Sequence, residues 1–392
     1  MVRFSVLRPL TRRLAWQRLP LLDRWLLQEL TAPLLFGIAA FTAVSLSVGV
    51  LFDLVRRIAE SGLPAWAALQ ILVLKMPGFL VLSFPMATLM ATLLAYSRLS
   101  SNSELTALRS VGVRSSRMVL PALALSLAMS VLTFVFNDIV VPQSNLQAAD
   151  TLERALGSAI AAERSNDTLY SNFADIRTKD GKSERRLTQL FYSRYYLKGL
   201  MVDITLLDFS HPGQRQMLTA KTGVWDPKTG MWNFWNGRLV NIDEMNGSTT
   251  TARFSNYQYS MGQGPIQVAQ LPTDATMMTV GQAVRAERLL REANNVKEAR
   301  RMRVRIQEKF ALPAICLVFG LIGSSLGVRP NARTSRSQGF GISVILIFGY
   351  YLMSFIFSSL GVTGSLPAIM AAWSPVLIGL TIGAVLLRQA SR

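Results

Sequence analysis

Leu30–Phe52 reads LTAPLLFGIAAFTAVSLSVGVLF, an apolar run with no charged residue in it. A hydrocarbon core of about 30 Å takes roughly 20 helical residues to cross, so the run is long enough to span one. Ahead of it stand Arg3, Arg8, Arg12, Arg13, Arg18 and Arg24, the flank of a signal peptide. The run is too long for a signal core and no small-residue cleavage site ends it, so it reads as a retained first membrane helix. Five further runs share its character: Pro77–Ser97, Met118–Phe136, Phe310–Val328, Gly339–Leu360 and Leu366–Leu387. The third and fourth are separated by about 170 polar residues, enough for a domain with its own core.

The expected fold class is therefore a membrane α-helical protein of six transmembrane helices, three plus three, with an inserted periplasmic all-β domain, a sandwich or jellyroll-like roll. Residues 1–140 are expected to hold a cytoplasmic arm and helices 1–3, residues 141–305 the β-domain with helical connections, and residues 306–392 helices 4–6. Half of the chain's 392 residues are apolar, yet its formal charge is +18, so charge and apolarity are segregated along the chain.

The charges also orient it, because Lys and Arg in short loops favour the cytoplasmic side. The arginine-rich arm, the second loop (Arg98, Arg109, Arg114, Arg117), the fourth loop (Arg329, Arg333, Arg336) and the tail (Arg388, Arg392) all fall on one side when six helices are counted. On the other side Arg56 and Arg57 are balanced by Asp53 and Glu60, and Gly361–Ser365 carries no charge. That places the soluble domain in the periplasm and the chain in the inner membrane. Val284–Lys309, with nine Lys/Arg against four acids, disagrees. Long translocated domains tolerate such a conflict, and no apolar run is left to make a seventh helix.

Within the soluble region the pattern turns to period two from Leu187 onward. Val202–Leu206 and Arg253–Ser260 read as strands. Lys221–Trp225 and Met231–Val240 read as a hairpin around Asp226-Pro227-Lys228-Thr229-Gly230. Ala148–Arg164 and Val280–Gln307 read as helical connections to the membrane. The aromatics Trp225, Trp232, Phe234, Trp235, Tyr257 and Tyr259 fit either a small core or the lining of an acyl slot, since both use the same residues.

The single cysteine, Cys316, and single histidine, His211, build neither a disulfide framework nor a Cys/His metal site. No P-loop pattern occurs, and no Ser/His/Asp set or paired carboxylates lie in a span. Gly320-Leu-Ile-Gly323-Ser-Ser-Leu-Gly327 lies in an apolar helix, where small residues allow close helix packing. The informative segment is the second loop, Ser101–Val113. Ser101 or Ser103 can cap a short helix there, Glu104 favours its positive end, and Gly112 can end it. Leu105, Leu108 and Val111 would then share one side. A solvated connector with chance amphipathicity is the other reading.

Here the chain resembles the lipopolysaccharide-export permeases LptF and LptG. The resemblance rests on Phe84-Pro85-Met86-Ala87, Ser103–Gly112, the Ala220–Leu239 hairpin with Trp225, Trp232 and Gly237, Pro313, Leu326-Gly327, Tyr350-Tyr351 and Trp373-Ser374-Pro375. Their order covers nearly the whole chain. It implies a non-enzymatic permease subunit of an ABC exporter that extracts lipopolysaccharide and passes it to a periplasmic bridge (LptC/LptA-like). The implied partners are an ATPase dimer (LptB-like), which carries the ATP and Mg, and a second permease subunit or a copy of this one. The chain itself needs no cofactor and no nucleic acid. The resemblance assigns Glu104, Leu105, Leu108, Arg109 and Gly112 to the contact with the ATPase. It assigns Arg56 and Arg57, with Lys75, to the anionic lipid head, though snorkelling explains them equally. Some relatives carry a basic residue deeper in helix 1, where this chain has Gly49-Val50-Leu51-Phe52.

Two other classes compete. A mechanotransmission subunit acting on periplasmic proteins would copurify with such a partner and no lipid. A secondary transporter would need ionisable residues at mid-membrane, and the six runs offer essentially none.

Overall fold

The computed structural model describes residues 20–156, 168–177, 183–197, 199–211, 213–243, 246–269, 274–293, 295–328 and 336–391. The arm before residue 20, the end of the expected Ala148–Arg164 helix, and Arg329, Arg333 and Arg392 lie outside them. Six helices are long and apolar enough to cross a membrane, and most begin before the apolar run they carry. In the first span α1 (Leu21–Leu46) passes through a π turn, Ser47–Leu51, into α2 (Phe52–Ser61). The second is α3 (Ala65–Ser101), followed by the short α4 (Glu104–Ser110). The third is α5 (Ser115–Val135), a π turn at Phe136–Val140, and α6 (Val141–Leu156). After the sheet come α7 (Gly264–Ala269) and α8 (Val280–Glu292), then the last three spans, α9 (Val296–Gly327), α10 (Arg336–Thr363) and α11 (Ala368–Ser391).

The expected single helix over Val280–Gln307 is broken. α8 opens on a Thr279/Gln282 capping box, and the Asn295 side chain accepts the Glu298 N–H (3.3 Å), starting α9 afresh. Two start signals 16 residues apart divide what composition alone presents as one helix.

The chain divides into two compact units, the helical one and a second holding Ser61–Ala67 and Leu146–Ile306. In the helical unit α3 and α9 are central, with 67% of their apolar windows buried against 17% for the first and fifth spans. Glycine makes the approach possible. A Cβ at Gly323 would meet the α3 backbone (Leu89 O 2.9 Å, Leu93 N 3.2 Å) and one at Gly327 the Tyr96 Cβ and Ser97 N, while Gly320 lies against Ser126 of α5. The close-packing reading of this glycine series holds.

In the second unit β1 (Thr168–Arg177), β2 (Ser183–Leu197), β3 (Leu200–Asp208), β4 (Gln214–Asp226), β5 (Met231–Asp243) and β6 (Thr249–Tyr259) form one antiparallel sheet in chain order. The β4–β5 turn is set as expected, with Asp226 Oδ1 accepting the Lys228 N–H (2.9 Å) and Gly230 at φ 68°. Trp232 and Phe234 are wholly buried, with Phe191, Met201 and Leu218 around them, so these two aromatics are core. An opening of about 510 Å³ remains beside Leu200, Val224, Trp225 and Ile266.

The sheet is folded over. Strands lie about 4.8 Å apart, so β2 and β6 would stand about 19 Å apart in a flat sheet. Yet the Gln189 amide donates to the Tyr259 hydroxyl (3.0 Å), which in turn donates to Asp208 at the end of β3. The fold follows from a slip in the alternation of buried residues. Buried neighbours stand three apart rather than two at Met201/Ile204 and Ala220/Gly223, and Phe234/Gly237 keep the same spacing. Asp203 (φ 52°) and Asn236 (φ 56°) supply the left-handed residue on β3 and β5, a conformation that Asp and Asn tolerate better than most. Flanking pairs place Arg194, Asp203, Lys221 and Asn236 in one transverse row. This row is the crease.

Burial pushes the Asp208 carboxyl up, but hydrogen bonds from Ser210, from Tyr259 and from the Ser210 N–H outweigh it and hold the group below its ordinary value. A lowered native pKa adds stability above the ordinary carboxylate range and loses it as pH falls through the native value. Asp208→Asn is therefore expected to unfold the β-domain at lower temperature at pH 7, with the gap to wild type narrowing as pH falls below the ordinary Asp value of about 3.9 and through the lowered native one. A gap that stays constant with pH, followed by tryptophan fluorescence, would remove the charge from this account.

Candidate functional site

The second loop forms the expected short helix, but with different ends and a different face. Ser103 occupies the N-cap position at φ 62°, and neither it nor Ser101 caps α4 through its side chain. A side-chain cap needs an extended N-cap residue, and the left-handed turn out of α3 denies it. Asn102 instead donates to Glu104 Oε1 (3.0 Å). Gly112, at φ 90°, ends the helix, with Val113 N–H bonded to Leu108 O (3.1 Å) and Gly112 N–H to Arg109 O (2.9 Å).

Leu105 is 2% exposed and joins a cluster with Tyr96, Leu99, Met118 and Val119, with Leu108 packed against it. Val111 is 83% exposed. The three therefore do not share a side. The leucines anchor α4 to its own bundle, while Thr106, Ala107, Ser110 and Val111 face outward with the half-buried Glu104 at their edge. Amphipathicity showed that the helix has an apolar side but not what covers it.

This end of the bundle is cross-braced. Arg109 Nη2 donates to Val328 O (2.5 Å) at the C-terminus of α9, where free carbonyls carry partial negative charge. Arg98 of α3 pairs with Glu29 of α1. Arg117 of α5 grips Asp23 of α1 at 2.7 and 2.8 Å, and Ser115 donates to Ala390 O of α11 (2.9 Å). Arginines counted for orientation thus also bind the spans together. α4 is thus tied to α9 through Arg109 and to α3 through the leucine cluster.

At the far end of the first span, Asp53 brings Arg56 (3.1 Å) and Arg57 (2.8 Å) together, and Glu60 lies 4.0 Å from Arg56. These four residues sum to no net charge. Lys75 is half-buried on α3 and engaged within the structure. The turn without a basic residue is where the π segment gives way to α2, and Gly49 there lies against the Phe79 ring.

Sequence reasoning missed a second polar knot. Lys309 is 7% exposed, and its ammonium donates to Asn137 O (3.2 Å). Its neighbours are held too, Glu308 by Ser358 (2.5 Å) and Gln307 by Trp373 (3.4 Å). The available signal was an amide just past the third apolar run and a lysine just before the fourth. Asn137 lies in the second π turn, and such turns recur at functional sites.

Comparison with known proteins agrees with this architecture. The family described as Lipopolysaccharide export system permease LptF/LptG matches residues 24–389, nearly the whole of both helical halves and the sheet between them. The Lipopolysaccharide export system permease protein LptG of Haemophilus influenzae is 29% identical over 116 residues. That match spans 29% of this chain and 32% of the relative, about a third of its length. On the extent of the family match, the six spans and the inserted sheet, this chain belongs to the LptF/LptG permease family.

Proposed function

We propose that the chain is a membrane subunit of an ATP-driven exporter that withdraws lipopolysaccharide from the inner membrane. The observation that carries this reading is the braced loop helix. α4 is fixed to its own bundle by Leu105, Leu108 and Arg109, yet it offers an outward face edged by a carboxylate. Among the described residues no cation of this chain pairs with Glu104. A separate ATPase dimer, holding ATP and Mg, would seat on that face from the cytoplasm. The β-domain would stand in the periplasm, and the opening beside Trp225 offers an apolar entry for acyl chains on their way to a bridge protein. A second permease subunit, or a copy of this one, would complete the pathway.

The head of the lipid is assigned to Arg56, Arg57 and Lys75, with the attraction tempered by Asp53. Each exposed cation near a membrane surface contributes about 1 kcal/mol toward an anionic lipid. In a reconstituted complex, Arg56→Gln with Arg57→Gln should lower the apparent affinity for lipopolysaccharide that stimulates ATP hydrolysis by on the order of tenfold. Asp53→Asn should raise it by about fivefold, an increase that helix anchoring alone does not predict. Loss of stimulation in both variants would make these residues a structural clamp. Mass spectrometry of lipid copurified with the wild-type complex tests the cargo, and a complex that carries a periplasmic protein and no lipid would overturn the export reading.

A further inference from the structure

The crease in the sheet leaves a trough on its outer face. Two consecutive outward positions per strand open the surface there, and the cavity measures about 710 Å³, within the usual range for small-ligand sites. Arg194 and Lys221 line it from the crease row, and Arg238 and Arg253 from the outward row two positions away. Arg238 and Arg253 are directly opposite each other on β5 and β6. Like charges at such a pair destabilise a sheet, and among the described residues neither arginine has a carboxylate partner. All four cations are exposed except for the stacking of Arg194 over the Tyr195 ring (5.4 Å). Four cations around one concavity, two of them set against each other, have no return in stability. They suit a ligand with two anionic groups.

The rest of the lining narrows its class. Thr205 and Thr219 bring hydroxyls, Asn236 an amide and Asp203 a carboxylate. A polyphosphate chain gains nothing from Asp203, whereas sugar hydroxyls donate to it. We infer that the crease trough is a binding site for a saccharide carrying two phosphate or carboxylate groups, its hydroxyls held by Asp203, Asn236 and the threonines and its anions by Arg194, Lys221, Arg238 and Arg253. This deepens the export reading: the trough holds the sugar of the cargo outside the sheet, apart from the apolar opening at Trp225. A duplex nucleic acid does not fit a depression of this size.

The test uses the full chain in nanodiscs of uncharged phosphatidylcholine. The probe is a deacylated glucosamine disaccharide bisphosphate, with the unphosphorylated disaccharide and inorganic pyrophosphate as comparators, followed by calorimetry. The bisphosphate should bind, and Arg238→Gln with Arg253→Gln should weaken it tenfold or more. Arg238→Lys with Arg253→Lys should keep most of the affinity, which separates lost charge from lost folding, and both comparators should bind at least tenfold more weakly. Equal binding by the Gln variant or by pyrophosphate, or no binding at all, would overturn the proposal. So would flotation of the chain with phosphatidylglycerol vesicles that depends on Arg238 and Arg253, which would make the patch a reader of membrane surface. Binding is read without the ATPase, so its failure leaves the export reading standing. Failure of lipid-stimulated hydrolysis likewise leaves the trough standing.

Discussion

Gly323→Leu is expected to abolish the folded helical unit, while Gly349→Ala leaves it intact. The difference lies in what the new side chain meets. At Gly323 even a Cβ reaches the backbone of α3, at Leu89 O (2.9 Å) and Leu93 N (3.2 Å), and no rotamer change moves a backbone. The helices must part, and with them the contacts of Phe319 and Ile322 against Leu89 in the same cluster. Overpacking a fitted interior costs about 1–3 kcal/mol even where neighbours give way, and here the neighbour is rigid. Gly323→Ala should already lower the unfolding temperature in detergent. At Gly349 nothing lies within 4 Å, so alanine there gains about 0.5–1 kcal/mol of helix preference at no steric cost. Equal unfolding temperatures for Gly323→Leu and Gly349→Ala would mean that α3 and α9 are not packed as described.

The second large effect is functional. Glu104→Ala should leave the chain inserted and folded, because Leu105 and Arg109 hold α4 in place without it. It should nevertheless lose the ATPase or uncouple hydrolysis from transport. Removing one partner of a hydrogen-bonded charge pair at an interface costs about 2–5 kcal/mol, on the order of 30- to 3000-fold in affinity. Glu104→Gln keeps the bond from Asn102 but not the charge and should fall between. Leu105→Ala is the contrasting case: it empties a site inside the bundle and should lower thermal stability by about 2–5 kcal/mol. Full transport by Glu104→Ala in proteoliposomes would take the carboxylate out of the coupling step.

The spans were legible because lipid imposes one length on any helix that crosses it, and a run such as Leu30–Phe52 has no other use. The β4–β5 hairpin was legible because Asp226, Pro227 and Gly230 restrict the backbone locally. What escaped depends on distant partners. Nothing near Leu105 says that Tyr96 and Met118 will cover it. The crease needs four strands in register before Asp203, Lys221 and Asn236 become one row, and each alone reads as an ordinary polar strand residue. Lys309 reads from sequence as part of the basic stretch before the fourth span, a reserve contact for a lipid head, and only the fold brings Asn137 to it. The polar knots and the trough are thus properties of pairing across the chain rather than of any window along it.

The central position of α3 and α9 has a consequence in time. Thr92 emerges from the ribosome about 230 residues before Gly323, and at about 5–20 residues per second the delay is roughly 12 to 46 s. For that interval α3 sits in the bilayer with its future seam uncovered. It can wait because the threonines of that seam are already satisfied within the helix, Thr88 by Phe84 O (2.7 Å) and Thr92 by Thr88 O (2.8 Å). Ser126 of α5, which will meet Gly320, is satisfied in the same way by Ala122 O (2.7 Å). Lipid therefore meets satisfied hydroxyls along this seam, and the smooth glycine face of α9 can close on it without breaking any of these hydrogen bonds.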